Sequence, residues 1–174
     1  MKDDKRLNAL KVALNNEMRE REFYLENAKR TTNPVGKAMF RQIADDELEH
    51  YERLKQLHET WEKAQRWPAT VPLIVKNTIV KDVLKDVVKK AHELPKGAAD
   101  DLSAVRTALD FEAKGEKYYA DLRDGVSDAK EKEFFDLLSK MERQHYLSLV
   151  DVEELLTDPA SWYRRVEHHG EDGA

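Results

Sequence analysis

Two short phrases in this chain carry side chains able to do chemistry. IADDELEHYERL, residues 43–54, sets Glu47 three residues before His50, and LLSKMERQHYLSL, residues 137–149, sets Glu142 three before His145. On a helix, residues three apart lie on neighbouring turns of one face, so each carboxylate and its imidazole can point at a common object. Carboxylate oxygen plus imidazole nitrogen, with no thiolate, is a donor mixture suited to iron or manganese, and ligand type alone also admits zinc.

A single Glu-x-x-His in a chain this rich in Glu is most simply a solvated coincidence. A gapless shift of 95 residues turns the coincidence into a pattern: Glu17 falls on Glu112, Tyr24 on Tyr119, Phe40 on Phe135, Glu47 on Glu142, His50 on His145, Tyr51 on Tyr146 and Leu54 on Leu149. In each half a lone Glu stands 30 residues ahead of the Glu-x-x-His, with a Tyr seven residues after it. An internal duplication explains this better than chance.

The elements that must position these residues read as long helices. With 174 residues the chain holds one domain with a real core, and 37% charged residues with only six Gly and five Pro suit helices with solvated outer faces. The first helix is expected from Asp3 or Asp4, as a cap, to about Arg30, on a stripe of Leu7, Leu10, Leu14, Glu17, Arg21, Tyr24 and Ala28. Asn33 caps the second at Pro34, which runs to about Trp61 on a seam of Phe40, Ile43, Glu47, His50, Leu54, Leu57 and Trp61. Trp67-Pro68 and Val71-Pro72 open a long crossover containing apolar VPLIVKNTIV and a helically spaced stretch from Lys81 to Ala91. That stretch lacks an aromatic membrane anchor and is expected to cover the bundle.

A crossover of this length places helices two and three parallel. Asp100 or Asp101 is expected to cap helix three, which runs to about Arg123 on Leu102, Val105, Leu109, Glu112, Glu116 and Tyr119. Asp128 with Glu131 reads as a capping box for helix four, which runs to about Leu156 on Phe135, Leu138, Glu142, His145, Leu149, Val152 and Leu156. Asp158-Pro159 begins a short terminal helix, so residues 1–158 form the bundle and 159–174 a short helix with a polar tail.

In an antiparallel hairpin, residues equidistant from the turn share a height. The midpoints between the lone Glu residues and their Glu-x-x-His partners fall at about residues 33 and 128, inside the two turns. Each hairpin therefore gathers two carboxylates and an imidazole at one level, and packing seam to seam brings Glu17, Glu47, His50, Glu112, Glu142 and His145 together. Four ionised carboxylates in an oily core are unaffordable without partners, and two divalent cations cancel them. Tyr24 and Tyr119 lie where they can hydrogen-bond those carboxylates or serve as ordinary core tyrosines. Arg21 and Glu116 are expected to form a buried ion pair between helices one and three. His58 is too far from His50 to share its metal, and His92, His168 and His169 are expected in solvent.

The absence of cysteine excludes disulfides, thiolate nucleophiles, iron–sulfur clusters and Cys-ligated zinc. A net charge of −5 without basic runs argues against nucleic acid. The N-terminus lacks a long apolar region and no stretch is long enough to span a bilayer, so a soluble cytoplasmic protein without a membrane partner is expected.

Over about residues 5–156 the chain resembles the rubrerythrin branch of the ferritin-like superfamily, on Glu17, Glu47-x-x-His50, Glu112 and Glu142-x-x-His145. The resemblance implies an all-α, ferritin-like antiparallel four-helix bundle holding two Fe ions. It implies peroxidase or ferroxidase chemistry, reducing hydrogen peroxide or O2 with electrons from an external donor protein, in a chain expected to form a homodimer. By that analogy Glu47 and Glu142 bridge the metals, while Glu17 with His50 and Glu112 with His145 are terminal ligands. The chain departs from the family in two ways: it has no Cys-ligated rubredoxin domain, and Gly115 stands where an extra Glu ligand is common. Glu20, at the equivalent place on helix one, and Glu116 are candidates for that extra ligand. Iron binding or storage without turnover, or an adaptor role, is the alternative on the same scaffold.

Overall fold

The computed structural model describes residues 3–64, 97–162 and 164. The crossover with its apolar and helically spaced segments, His92, His168, His169 and the side chains of Asp3 and Asp4 lie outside the described residues.

Among the described residues, four long helices carry the structure: α1 Asp3–Arg30, α2 Pro34–Ala64, α3 Ala99–Gly125 and α4 Ala129–Thr157. A further helical turn at 159–162 is capped by Asp158, whose Oδ1 accepts from Ser161 N at 3.1 Å. The two hairpin turns use one device at positions matched in the repeat. Asn33 Oδ1 accepts from Val35 N and Gly36 N at 2.9 and 3.1 Å, and Asp128 Oδ1 accepts from Lys130 N and Glu131 N at 2.9 and 3.1 Å. Both caps satisfy amides that a helix start leaves unpaired. The carboxylate of Glu131 reaches across to Arg6 Nη1 on α1, 3.1 Å away.

The expected cap of α3 is not formed. Ala98 occupies the cap position without a side-chain bond, and Asp100 and Asp101 fall inside the first turn. There their charge still complements the helix dipole, while Arg30 at the end of α1 draws both: its Nη2 donates to Asp100 O at 3.0 Å and lies 3.5 Å from Asp101 Oδ1. Gly97 N donates to Leu156 O at 2.9 Å, which fixes the entry to α3 by a tertiary contact.

The seams of α2 and α4 are buried throughout as read. On α1 and α3 the interior stripe is rotated slightly from the expected one. Ala13 and its repeat mate Ala108 are fully buried, whereas Leu14 and Leu109 are half-buried edge residues. Both helices thus put a small side chain innermost beside the ligand level.

α1 packs along α2, and α3 along α4. Across the hairpins, Tyr24 of α1 meets Glu112 of α3 while Glu17 meets Tyr119, so ascending one helix descends the other. α2 and α4 run oppositely in the same way, through His50 with Glu142 and Glu47 with His145. Helices two and three are therefore parallel, as the long connection requires. Apolar side chains form two clusters, one containing Tyr24, Phe40, Ile43, Val105 and Leu149, the other Leu10, Leu54, Trp61, Tyr119 and Phe134. The polar residues of the repeat lie between them in sequence on every helix. No helix among the described residues is long and apolar enough to cross a membrane.

Candidate metal centre

The six repeated Glu and His residues meet in the interior, each at most 2% exposed. They form two overlapping groups, Glu17, Glu47, His50 and Glu142 in one, and Glu47, Glu112, Glu142 and His145 in the other. Within each group one ligating atom per residue lies within 4.8 Å of the rest. Glu47 and Glu142 belong to both. Each group therefore has a private Glu and His plus two shared carboxylates, and each draws residues from both hairpins.

Both imidazoles turn Nδ1 inward. His50 Nδ1 lies 3.1 Å from Glu47 Oε2, 3.2 Å from Glu17 Oε2 and 3.6 Å from Glu142 Oε1. His145 Nδ1 lies 3.2 Å from Glu47 Oε1 and 3.4 Å from Glu112 Oε2. The rings stack with centroids 5.6 Å apart. The tyrosines act across the hairpins: Tyr24 donates its hydroxyl proton to Glu112 Oε1, and Tyr119 donates to Glu17 Oε1. Burial, and then the neighbouring carboxylate, raises both phenols well above their ordinary range, so they stay protonated donors.

Crowding Glu17, Glu47 and Glu142 in one dry space shifts their protons. Burial, reinforced by the charge of Glu47, raises Glu17 to about 8. Burial and the same neighbour raise Glu142 well above the carboxylate range. Burial would raise Glu47 also, but the imidazoles of His50 and His145 outweigh it and hold this carboxylate very low. Burial opposes the charged form of His50, yet Glu47 and Glu17 lift it to about 10. His145 is raised likewise against burial, chiefly by Glu112 and Asp46. Without cations, protons balance the cluster.

The site fits a pair of cations on its own geometry. Glu47 Oε1, Glu112 Oε2, both carboxylate oxygens of Glu142 and His145 Nδ1 are buried without a well-aligned hydrogen-bond partner. Native interiors rarely leave so many polar atoms unsatisfied in one place. Oxygen and nitrogen donors in this ratio match a transition-metal pair.

Around the six, the expected residues divide. Glu20 is half-buried beside the cluster and, by burial and then the charge of Glu47, is raised to about 10. It lines a cleft of about 560 Å³ between α1 and α3, with Glu17, Phe23, Lys114, Gly115 and Tyr119 among the other lining residues. Glu116 does not supply the extra ligand expected of it: it faces Arg143 of α4 at 3.6 Å and joins neither ligand group. The Arg21–Glu116 ion pair is therefore not formed: both residues are half-buried edge positions, where α4 supplies the nearer cation. His58 lies 3.6 Å from Glu62, away from the cluster as expected.

Two features were not read from the sequence. Asp46 Oδ2 lies 3.1 Å from His145 Nε2, and Gln42 Nε2 donates to Asp46 Oδ1 at 2.9 Å. An Asp–Gln pair four residues apart beside a ligand position was the available signal. A Cβ placed on Gly115 would sit 3.0 Å from Glu142 Oε2, so the glycine makes room for a shared carboxylate.

A helical bundle with paired Glu and Glu-x-x-His ligand sets on four inner faces defines a ferritin-like carboxylate protein. The rubrerythrin family model matches residues 8–152, which includes all six cluster residues and both tyrosines. The chain belongs to the rubrerythrin family. Comparison with curated proteins and with solved structures gave no match.

Proposed function

We propose that this protein is a di-iron oxidoreductase of rubrerythrin type, reducing hydrogen peroxide or O2 with electrons returned by an external donor protein. The observation that carries this reading is the sharing of Glu47 and Glu142 between two otherwise separate ligand groups. One ion would be held by Glu17 and His50, the other by Glu112 and His145, with both shared carboxylates between them. When bound, the iron pair supplies one electron from each ion to the oxidant.

The residues of this chain determine how that chemistry is held. Tyr24 and Tyr119 fix one oxygen of Glu112 and of Glu17, leaving the other oxygen directed inward. Reduction of peroxide to two waters consumes two electrons and two protons, so the site needs a small-molecule route and a source of protons. The α1–α3 cleft reaches Glu17 and Tyr119, and Glu20 lines it as the nearest additional carboxyl. The apolar clusters on either side keep bulk water from the ligands.

Iron binding without peroxide turnover is a second reading, favoured by Gly115. A longer side chain there would press on Glu142, so α3 offers no extra carboxylate after Glu112. Anaerobic loading with Fe²⁺, metal analysis and stopped-flow mixing with peroxide and with O2 test both. Two irons per chain oxidised rapidly by one oxidant are expected. Two irons that oxidise no faster than free Fe²⁺ would favour the second reading, and fewer than two bound irons would overturn both.

A further inference from the structure

The two halves of the site share their ligands but differ in what stands behind the imidazoles. With Nδ1 as the ligating atom, the remaining ring proton sits on Nε2 and needs an acceptor. His145 has one: Nε2 lies 3.1 Å from Asp46 Oδ2, and Gln42 holds Asp46 in place from one turn earlier on α2. His50 is fully buried, and its Nε2 has no hydrogen-bond partner among the described residues. The repeat shows why. Positions 42 and 46 correspond to Leu137 and Met141, neither of which offers a carboxylate or amide. Met141 is buried at 1% exposure, so this place in the repeat is apolar and closed to solvent.

Resting on the two-metal reading above, we infer that the metal positions are inequivalent. The position built from Glu112 and His145 binds first and more tightly, because the Gln42–Asp46 relay orients and satisfies its histidine. The position built from Glu17 and His50 is the weaker and the more easily emptied. Asp46 and Gln42 are positioning residues that act through His145. Outer hydrogen-bond partners of ligating histidines are worth 10–100-fold in metal affinity, which sets the expected difference.

Two bound cations repel each other, so stepwise filling of the native site would not by itself reveal inequivalence. A mirrored pair of variants removes that ambiguity. Glu17→Ala leaves the Glu112/His145 group whole, and Glu112→Ala leaves the Glu17/His50 group whole; each also deprives one tyrosine of its partner, so that loss cancels. Titrated anaerobically with Co²⁺ in the 174-residue chain, Glu17→Ala should bind its first ion about 10–100-fold more tightly than Glu112→Ala. Adding Asp46→Leu to Glu17→Ala should erase the advantage. Asp46→Asn, whose amide oxygen still accepts, should preserve most of it, which a purely structural role for Asp46 would not require. Met141→Gln in the Glu112→Ala background should strengthen binding. Equal affinities in the mirrored pair, or no loss with Asp46→Leu, would overturn the inference while leaving a two-metal site intact. If Asp46→Leu fails to fold, the mirrored pair still decides, since neither variant alters Asp46. Native protein that takes up fewer than two Co²⁺ would remove the two-metal reading itself.

Discussion

The hairpin of α1 and α2 and that of α3 and α4 are alike where they touch the cluster and unlike one step away from it. Glu17, Glu47 and His50 repeat as Glu112, Glu142 and His145, and Tyr24 repeats as Tyr119. Even the buried Ala13 and Ala108, and the caps Asn33 and Asp128, correspond. Divergence begins just behind them, where Gln42 and Asp46 give way to Leu137 and Met141, Glu20 to Gly115, and Phe23 to Tyr118. Residues that must balance charge in a dry interior tolerate few alternatives, whereas residues that tune or give access to them have room to differ. Symmetric ligation with asymmetric support is what distinguishes the two halves.

The most damaging way to break the symmetry is to remove a carboxylate that both groups use. Glu142→Ala is expected to abolish two-metal occupancy while leaving a folded bundle, and Glu47→Ala to match it. Metal-to-protein ratios after anaerobic loading, alongside the helical circular dichroism signal, check both, and a normal metal ratio in either would contradict shared ligation. Next in size are Tyr24→Phe and Tyr119→Phe. Each leaves one buried carboxylate oxygen without its donor, at about 1–3 kcal/mol, and each should weaken metal binding about 10–100-fold. Because the bonds cross between hairpins, Tyr119→Phe should weaken the Glu17/His50 position and Tyr24→Phe the Glu112/His145 position. Combining each with Glu17→Ala or Glu112→Ala reads this directly.

A smaller effect is expected where the halves already differ. Alanine in place of a mid-helix glycine normally stabilises by about 0.5–1 kcal/mol. At Gly115 the added Cβ meets Glu142 Oε2 at 3.0 Å, so Gly115→Ala should weaken metal binding several-fold without lowering the melting temperature of the metal-free protein. Glu20→Ala, at the matching place on α1, should leave metal affinity nearly unchanged, since Glu20 belongs to neither ligand group.

The mildest probe is pH. Glu17 is raised from 4.5 to about 8 and His50 from 6.5 to about 10, so both keep protons in the folded chain that the unfolded chain has released. Their contribution to stability is complete below their unfolded values and disappears as pH climbs through about 8 and about 10. The metal-free protein should therefore melt at progressively lower temperature from about pH 5 to about pH 10. Metal-loaded protein should show a flatter profile over the same range, because cations replace those protons. Calorimetry in chelator and in excess metal distinguishes the two, and a flat profile in chelator would contradict proton balancing of the cluster.

Much of this was legible in the sequence because charge burial leaves a signature that composition cannot hide. Glu47, His50, Glu142 and His145 interrupt apolar seams at matched positions, and only a common interior target explains both interruptions. The four long helices among the described residues and three of the caps were equally plain, since Asn33-Pro34, Asp128 and Asp158 act on amides a few residues away. What was missed depends on how helices rotate and pair in space. Asp100 or Asp101 was expected to cap α3, but both answer Arg30 of α1, and Glu116 faces Arg143 of α4 where Arg21 was expected. The mismatch of Asp46 with Met141 is visible once the halves are aligned. Its meaning emerges only when α2 is seen against α4, with the carboxylate of one behind the imidazole of the other.

Because every ligand group borrows at least one carboxylate from the opposite hairpin, half of this molecule is not half of a working centre. A lone hairpin presents three donors to one cation and waits for a fourth. The least assembly able to close either coordination set is two hairpins face to face, whether tied in one chain or brought together as separate pieces.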